Sequence, residues 1–277
     1  MAICLCSGVY QDERDGLSER QIDAILLAGR SYDLSSCLKT GGALIFPHTY
    51  ILECGSYIAA CVHAALDSGA DHCLALGVLH SFGDTLSAAR RQERVDHPLR
   101  MVHGPHRPPG EYWKNEYSLL SFIFLWEEEI KRRGIRAPKL SIRFPYLVAK
   151  SPSTLPGMDE LEAIAKDACI VATADLCHHG LAYNSENPYS MNEGADFAKK
   201  SIEENLALLQ TGDYARYYAH CQKIKSDSYD IGPTLRHLVG PFTPKIHDMT
   251  LVDTAPLYEG FVSPSWVAAS LVTMEKL

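Results

Sequence analysis

The stretch Val171-Ala-Thr-Ala-Asp-Leu-Cys-His-His-Gly180 decides the fold class of this chain and locates its candidate site. It continues an apolar run that starts at Ala168, and this run predicts a buried β-strand over 168–174. Titratable residues follow the strand at once: Asp175, Cys177, His178 and His179. Open α/β sheets build their sites from polar groups that buried strands deliver at their C-terminal ends. The stretch therefore predicts an α/β fold with a site at this strand end.

Two further stretches have the same form: Gly42-Ala-Leu-Ile-Phe-Pro-His48 and Cys73-Leu-Ala-Leu-Gly-Val-Leu-His80. A helix predicted over 56–68 would join them into a β-α-β unit with parallel strands. We therefore predict one domain over 1–277, with a mostly parallel central sheet flanked by helices. Parallel strand ends share one edge of a sheet, so His48, His80 and His178 are expected to converge there.

Composition excludes several classes of function. The 277 residues carry a formal net charge of -8, which disfavours nucleic acid as a partner because phosphate binding needs clustered Lys and Arg. The nine cysteines are scattered without a CxxC spacing and no leader-like segment precedes them, which predicts free thiols in a cytoplasmic protein. No apolar run reaches membrane-spanning length, so no membrane partner is expected. A homo-oligomer is compatible with the sequence.

Histidine and carboxylate residues provide the candidate chemistry. Two neutral imidazoles and one carboxylate form the facial triad that holds non-heme Fe(II), and His48, His80 and Glu259 supply such a set. The same ligands describe catalytic zinc sites, and copper is a further alternative, although the HExxH helix of many zinc proteases is absent. The plainer interpretation is that each histidine is hydrogen-bonded at the sheet edge and that Glu259 is solvated.

Neighbouring residues on an extended backbone point to opposite sides, so only one of His178 and His179 is expected to face the site. An unligated histidine beside a metal suits general acid–base catalysis, because its pKa lies near neutral pH. Asp175 could orient His178 or could cap a turn. Cys177 fits packing better than ligation.

The segment from Ser81 to Pro109 has no strong hydrophobic period, which is typical of a binding loop or a lid. It carries His97, His103 and His106, for which a solvated loop is favoured over a second metal site. Three aromatic residues beyond it could line a wall of the site or pack in the core: Tyr112, Trp113 and Tyr117.

Taken in order, several motifs resemble the Memo family, whose fold is that of the class III extradiol dioxygenases. The resemblance rests on Phe46-Pro-His48, Cys54-Gly-Ser56, Gly77-Val-Leu-His80 and, most specifically, Ala174-Asp-Leu-Cys-His-His-Gly180. Weaker likeness is found at Ser7-Gly-Val-Tyr10, Ile231-Gly232 and Val267-Ala-Ala269, so it spans nearly the whole chain.

The resemblance implies that His48 and His80 are metal ligands, that His178 is an acid/base facing the metal, and that a C-terminal Glu is the third ligand. Glu259 stands near the place where some Memo proteins have a Cys, which favours a working oxygenase site. The family's His-Ser-x-Glu-x-His-like helix is replaced here by Tyr117-Ser-Leu-Leu-Ser-Phe122, so a different substrate is expected.

The expected function is therefore that of a non-heme Fe(II) oxygenase that cleaves or oxidises a small chelating substrate with O₂. A catechol, an aminophenol or an amino-acid-derived metabolite would suit such a site. A non-catalytic Memo-like metal-binding or signalling protein and a zinc hydrolase are the alternatives.

Overall fold

Seven strands form one mixed sheet in the computed structural model, which describes residues 12–78, 80, 116–145, 151–154 and 158–277. The strands are β1 (Ala43–Phe46), β2 (His72–Leu76), β3 (Lys139–Arg143), β4 (Cys169–Thr173), β5 (His178–Gly180), β6 (Phe242–Asp253) and β7 (Ser265–Lys276). The helices are α1 (Glu19–Gly29), α2 (Ser35–Lys39), α3 (Ile51–Asp67), α4 (Leu120–Arg133), α5 (Met158–Ala165), α6 (Met191–Thr211), α7 (Tyr214–Ile224) and α8 (Ile231–Val239).

The sheet follows the order β3-β2-β4-β1-β7-β5, with β6 paired to β7. Three strand pairings are parallel, β2 with β3, β2 with β4 and β1 with β4. The long strand β7 runs antiparallel to β1, β5 and β6. The α/β class with flanking helices is therefore confirmed, whereas the expected mostly parallel sheet is corrected to a mixed one.

Strand β4 lies between β1 and β2, the two strands of the predicted β-α-β unit. Its Cys169 pairs with Cys73 of β2, and its Ile170 pairs with Ala43 of β1. All five β4 residues are buried, as are all four of β1. Strands that are covered on both faces have continuous apolar sequences, and such strands lie at the centre of a parallel sheet. This order brings the C-terminal ends of β2, β4 and β1 side by side.

The two faces of the sheet pack two separate hydrophobic cores. Alternate residues of β1 point to opposite sides, so Leu44 and Phe46 join one core while Ala43 and Ile45 join the other. Helices α1 to α4 cover the first face, and α5 to α8 cover the second. Trp266 is the largest fully buried side chain and belongs to the second core. The parallel strands are thus held rigidly from both sides.

Helix boundaries differ from the predicted ones in three places. The apolar spacing over 17–38 predicts one helix, whereas the structure has two, α1 and α2; the capping box that Ser18 and Gln21 predict is present. Helix α3 begins five residues before the predicted start, at Ile51. The sequence predicts another helix over 196–210, and α6 begins five residues earlier, at Met191, where Ser190 and Glu193 form a second capping box.

Among the described residues, none of the helices combines the length and the apolar character that crossing a membrane requires.

Candidate metal centre

The adjacent ends of β1, β2 and β4 position the histidines of the site. Pro47-His48 follows β1, and Gly77 leads from β2 towards His80. The two imidazoles meet face to edge, with 3.2 Å between their Nε2 atoms. The structure thus brings together two of the residues that the sequence singled out at separate strand ends.

A hydrogen bond to Thr173 sets the tautomer of His48. The hydroxyl of Thr173, at the end of β4, donates to the carbonyl oxygen of Phe46 at 3.1 Å. Its oxygen is therefore free to accept the Nδ1–H of His48 at 3.0 Å. The Nε2 atom of His48 then points towards His80 and is available as a ligand.

Glu116 sets the tautomer of His80 in the same way. Its carboxylate accepts four N–H groups, from the backbone and Nδ1 of His80 and from the backbones of Tyr117 and Ser118. Burial opposes ionisation of Glu116, but the charge and hydrogen bonds of His80 outweigh it and lower the pKa of Glu116 to about 2. An ionised Glu116 keeps the proton of His80 on Nδ1 and its Nε2 turned to the site.

His178 is fixed by a backbone carbonyl. Its Nδ1 lies 2.7 Å from the carbonyl oxygen of Lys225, which can only accept, so Nδ1 carries the proton. Lys225 has a positive φ of 55° at the C-terminal end of α7, a conformation that non-glycine residues rarely adopt. The carbonyl of Lys225 thus fixes His178, and the same turn brings Asp227 close to His48. The Nε2 atom of His178 lies 4.0 Å from Oδ2 of Asp175.

Asp227 is the residue that completes the cluster. One carboxylate oxygen, Oδ1, accepts the backbone N–H of Asp175 at 2.8 Å, and the backbone N–H of Asp227 donates to the carbonyl oxygen of Asp175. The other oxygen, Oδ2, is buried without a hydrogen-bond partner, 3.2 Å from Nε2 of His48. The segment after α7 is therefore joined to the end of β4 through Asp175 and Asp227.

The carboxylates of Asp175 and Asp227 favour a positive charge on His48. Burial by itself lowers the pKa of His48, but Asp175 and Asp227 outweigh it and raise that pKa to about 9. Asp227 stays ionised, because the charge of His48 outweighs its burial and lowers its pKa, whereas burial raises the pKa of Asp175. His48 is therefore protonated at neutral pH in this arrangement, with its Nε2 atom 3.2 Å from Oδ2 of Asp227.

The donor set fits a divalent metal ion. The ligand atoms of His48, His80 and Asp227 lie within 4.8 Å of one another. Two nitrogens bound about 2.1 Å from one ion, at an angle of about 100°, lie about 3.2 Å apart, which is the separation found between the two Nε2 atoms. The unpartnered Oδ2 of Asp227 supplies the carboxylate of a two-histidine, one-carboxylate set. A second group of three shares Asp227 and consists of Asp175, His178 and Asp227.

Glu259 belongs to neither group. It lies in the turn between β6 and β7, and it is exposed to solvent. Within the described part of the chain, the carboxylate that groups with His48 and His80 is that of Asp227, whereas the predicted ligand Glu259 is not part of this group.

His178 and His179 point in opposite directions along β5, as the extended backbone requires. His179 packs among Tyr189, Phe197 and Trp266, and its Nε2 accepts the backbone N–H of Tyr189 at 3.0 Å. It therefore has a structural role. Cys177 is fully buried in the second core, where burial raises the pKa of its thiol to about 12, so it packs and does not face the ligands.

Among the aromatic candidates, Tyr117 forms part of the site wall, because its ring stacks on His80 with 4.2 Å between centroids. The proposed lid over 81–110, which contains His97, His103 and His106, lies outside the described residues, as do Tyr112 and Trp113.

Sequence reasoning missed Asp227, Glu116 and Thr173. Asp227 follows a helix, so a search for polar residues at strand ends does not find it. The polar segment Ser226-Asp-Ser228 between α7 and α8 is the feature of the sequence that could have pointed to it. Glu116 was expected as the first residue of a helix, which instead begins at Leu120. The volume of a cleft does not locate the candidate site either, since a cleft of about 850 Å³ lies at the opposite edge of the sheet, beside Gly42 and Gly69.

No protein-family model matches this chain, and no curated protein matches it.

Proposed function

We propose that this protein is a non-heme Fe(II) oxygenase that acts on a small chelating substrate, with His48, His80 and Asp227 as the metal ligands. The observation that carries the proposal is the meeting of two Nδ1-protonated imidazoles with the unpartnered oxygen of Asp227. This ligand set is the one that non-heme Fe(II) oxygenases use, and it leaves coordination positions free for other molecules. The resemblance to the Memo and class III extradiol dioxygenase group supports the same class.

A bound Fe(II) ion would supply the capacity to bind and reduce O₂, and the protein would supply geometry and proton transfer. Thr173 and Glu116 hold the two ligand imidazoles in the required tautomer. His178 presents its Nε2 at the edge of the cluster, with its ring in a tilted contact with Tyr183 at 5.0 Å between centroids and its Nδ1 proton held by the carbonyl of Lys225. It is therefore placed to take a proton from the substrate, and Asp175 stabilises the resulting imidazolium.

The site favours a substrate with two adjacent donor groups. Catechols, aminophenols and amino-acid-derived metabolites share this feature, and each loses a proton on chelation that His178 can accept. The stacked rings of Tyr117 and His80 offer a flat surface beside the metal position, which suits a planar substrate. A cytoplasmic location agrees with the seven described cysteines, all of which are buried and unpaired.

The test is metal binding followed by oxygen consumption. Protein purified without oxygen should bind Fe(II), His48→Ala should lose that binding, and the loaded protein should consume O₂ with a member of a phenolic and amino-acid panel. Binding of Fe(II) by His48→Ala with wild-type affinity contradicts the proposed ligands. Metal binding without O₂ uptake across the panel would favour the non-catalytic alternative.

A zinc hydrolase is the second candidate, and the second carboxylate favours it. Asp175 lies 3.6 Å from Nε2 of His48, and burial raises its pKa, so it could serve as a general base beside a zinc-activated water. Activity that persists with zinc under strict exclusion of oxygen would select this candidate over the oxygenase.

A further inference from the structure

We propose that Asp175, His178 and Asp227 form a second divalent-cation site, which shares Asp227 with the first. The juxtaposition that carries it is that the ligand atoms of these three residues lie within 4.8 Å of one another, in addition to the group formed by His48, His80 and Asp227. The inference goes beyond the proposed function but rests on the same first site.

The three side chains are prepared for a cation in the same way as those of the first site. The Nδ1 proton of His178 is held by the carbonyl of Lys225, so Nε2 has a lone pair directed at the two carboxylates. Asp227 has one oxygen fixed by the backbone of Asp175 and one oxygen without a hydrogen bond, and a carboxylate has enough lone pairs to bridge two ions. Only one of these residues, Asp227, is needed by both sites.

The charge of the cluster favours a second cation. Three buried or largely buried carboxylates lie against the three imidazoles, those of Glu116, Asp175 and Asp227. Burial raises the pKa of Asp175, but a cation beside it favours its ionised form, and three ionised carboxylates carry more negative charge than one divalent ion neutralises. Buried charges are costly unless they are paired, so the remaining negative charge lies where a further cation would be stabilised. Pairs of metal ions that share a carboxylate are a known arrangement in metalloenzymes.

Occupation of the second site has a consequence for the first. Two cations held by one carboxylate repel each other, so the second ion should bind at least about tenfold more weakly than the first. It also occupies the Nε2 lone pair of His178, which the proposed reaction uses. Activity supported by the first equivalent of metal is therefore expected to fall as the second binds.

The closing experiment uses the full-length protein stripped of metal and titrated with Mn(II). Equilibrium dialysis should count two bound ions for each chain, and electron paramagnetic resonance should show the isolated signal of the first ion broadening or disappearing as the neighbouring second ion binds. His178→Ala should bind one ion and retain its isolated signal. His237→Ala is the matched control, because this histidine is hydrogen-bonded to Glu162 in the cleft at the opposite edge of the sheet, and the variant should still bind two ions.

Each outcome decides the question. Saturation of the wild-type protein at one ion overturns the second site and leaves the proposed function standing, whereas no binding at all overturns both. Two ions in the wild type without magnetic coupling, or two ions in a folded His178→Ala variant, would also reject the assignment. If His178→Ala does not fold, the ion count and the spectrum of the wild-type protein still separate one site from two.

Discussion

Replacement of Asp227 by Asn tests which carboxylate belongs to the proposed metal centre. The amide keeps an oxygen donor of the same size 3.2 Å from Nε2 of His48, but it removes the negative charge. A unit charge about 3 Å from a divalent ion contributes about 2.8 kcal/mol even at the dielectric constant of water, and more in a partly buried site. At about 1.4 kcal/mol for each factor of ten, Asp227→Asn should weaken metal binding about 100-fold or more.

Isothermal titration calorimetry with Fe(II) in an anaerobic cell, or with Zn(II) in air, measures this change directly. Glu259→Gln is the matched control, because it removes one carboxylate charge from an exposed turn of the same protein. We expect its metal affinity to remain within about twofold of the wild-type value, since an exposed charge beyond the cluster is largely screened. Circular dichroism and thermal melting show whether either variant is folded.

The opposite ranking would refute the reasoning. If Glu259→Gln lost metal affinity while Asp227→Asn kept it, Glu259 would be the ligand and the described arrangement would not be the binding one. Equal, small effects of both variants would mean that neither carboxylate binds the ion, and that His48 and His80 hold it with other groups.

Three other variants test the surroundings of the site. Glu116→Gln should lower metal affinity about 10- to 100-fold without unfolding the protein, because it no longer fixes His80 as a charged acceptor; unchanged calorimetric affinity would contradict this. Glu129 is buried, and Arg30, Arg132 and Arg133 outweigh its burial and lower its pKa from 4.5 to about 2. The contribution of ionised Glu129 to the free energy of unfolding is therefore complete above pH 4.5 and is lost as the pH falls towards 2. This stabilisation is at most about 3 kcal/mol, and solvent screening at the partly exposed Arg30 and Arg132 reduces it further. In urea unfolding, the difference in free energy of unfolding between wild type and Glu129→Gln should become smaller from about pH 7 to about pH 3. A difference that stays constant over this range would contradict the proposed role of ionised Glu129. Gly180→Ala should cost more than about 2 kcal/mol in the same assay, because Gly180 has a φ of 116° and a Cβ there would overlap the carbonyl of Pro264; a wild-type unfolding midpoint would disprove this strain.

Several elements follow from the sequence because they depend on local chemistry. The strand Ala43–Phe46 has its predicted bounds, since an apolar run between Gly42 and Pro47 has no other way to be buried. The cations of Lys131-Arg-Arg133 lie in the last turn of α4, as the helix dipole favours. The opposite directions of His178 and His179 follow from the pleat of a strand alone.

The loop predicted over residues 49–55 was wrong, because packing between helices outweighed the local sequence preference. Residues 49–55, which are rich in Tyr, Glu and Cys, were predicted as a loop. In the structure Gly55 lies inside α3 and faces Ile25 of α1, where a Cβ would approach the Ile25 side chain to 3.0 Å. A larger residue here would force the Ile25 side chain to shift by a few tenths of an ångström, so glycine suits a contact between helices that no local pattern shows.

The sequence by itself determined that this is an α/β protein with histidines at the ends of its buried strands, because hydrophobic periodicity and strand ends are local properties. Only the tertiary structure decided which carboxylate joins them. Asp227 reaches the site because a left-handed turn at Lys225 joins the end of α7 to Asp175, 52 residues earlier in the chain. Glu259 stands just before a strand in the sequence but faces solvent in space. A ligand set is a set of distances between remote residues, and those distances exist only once the chain has folded.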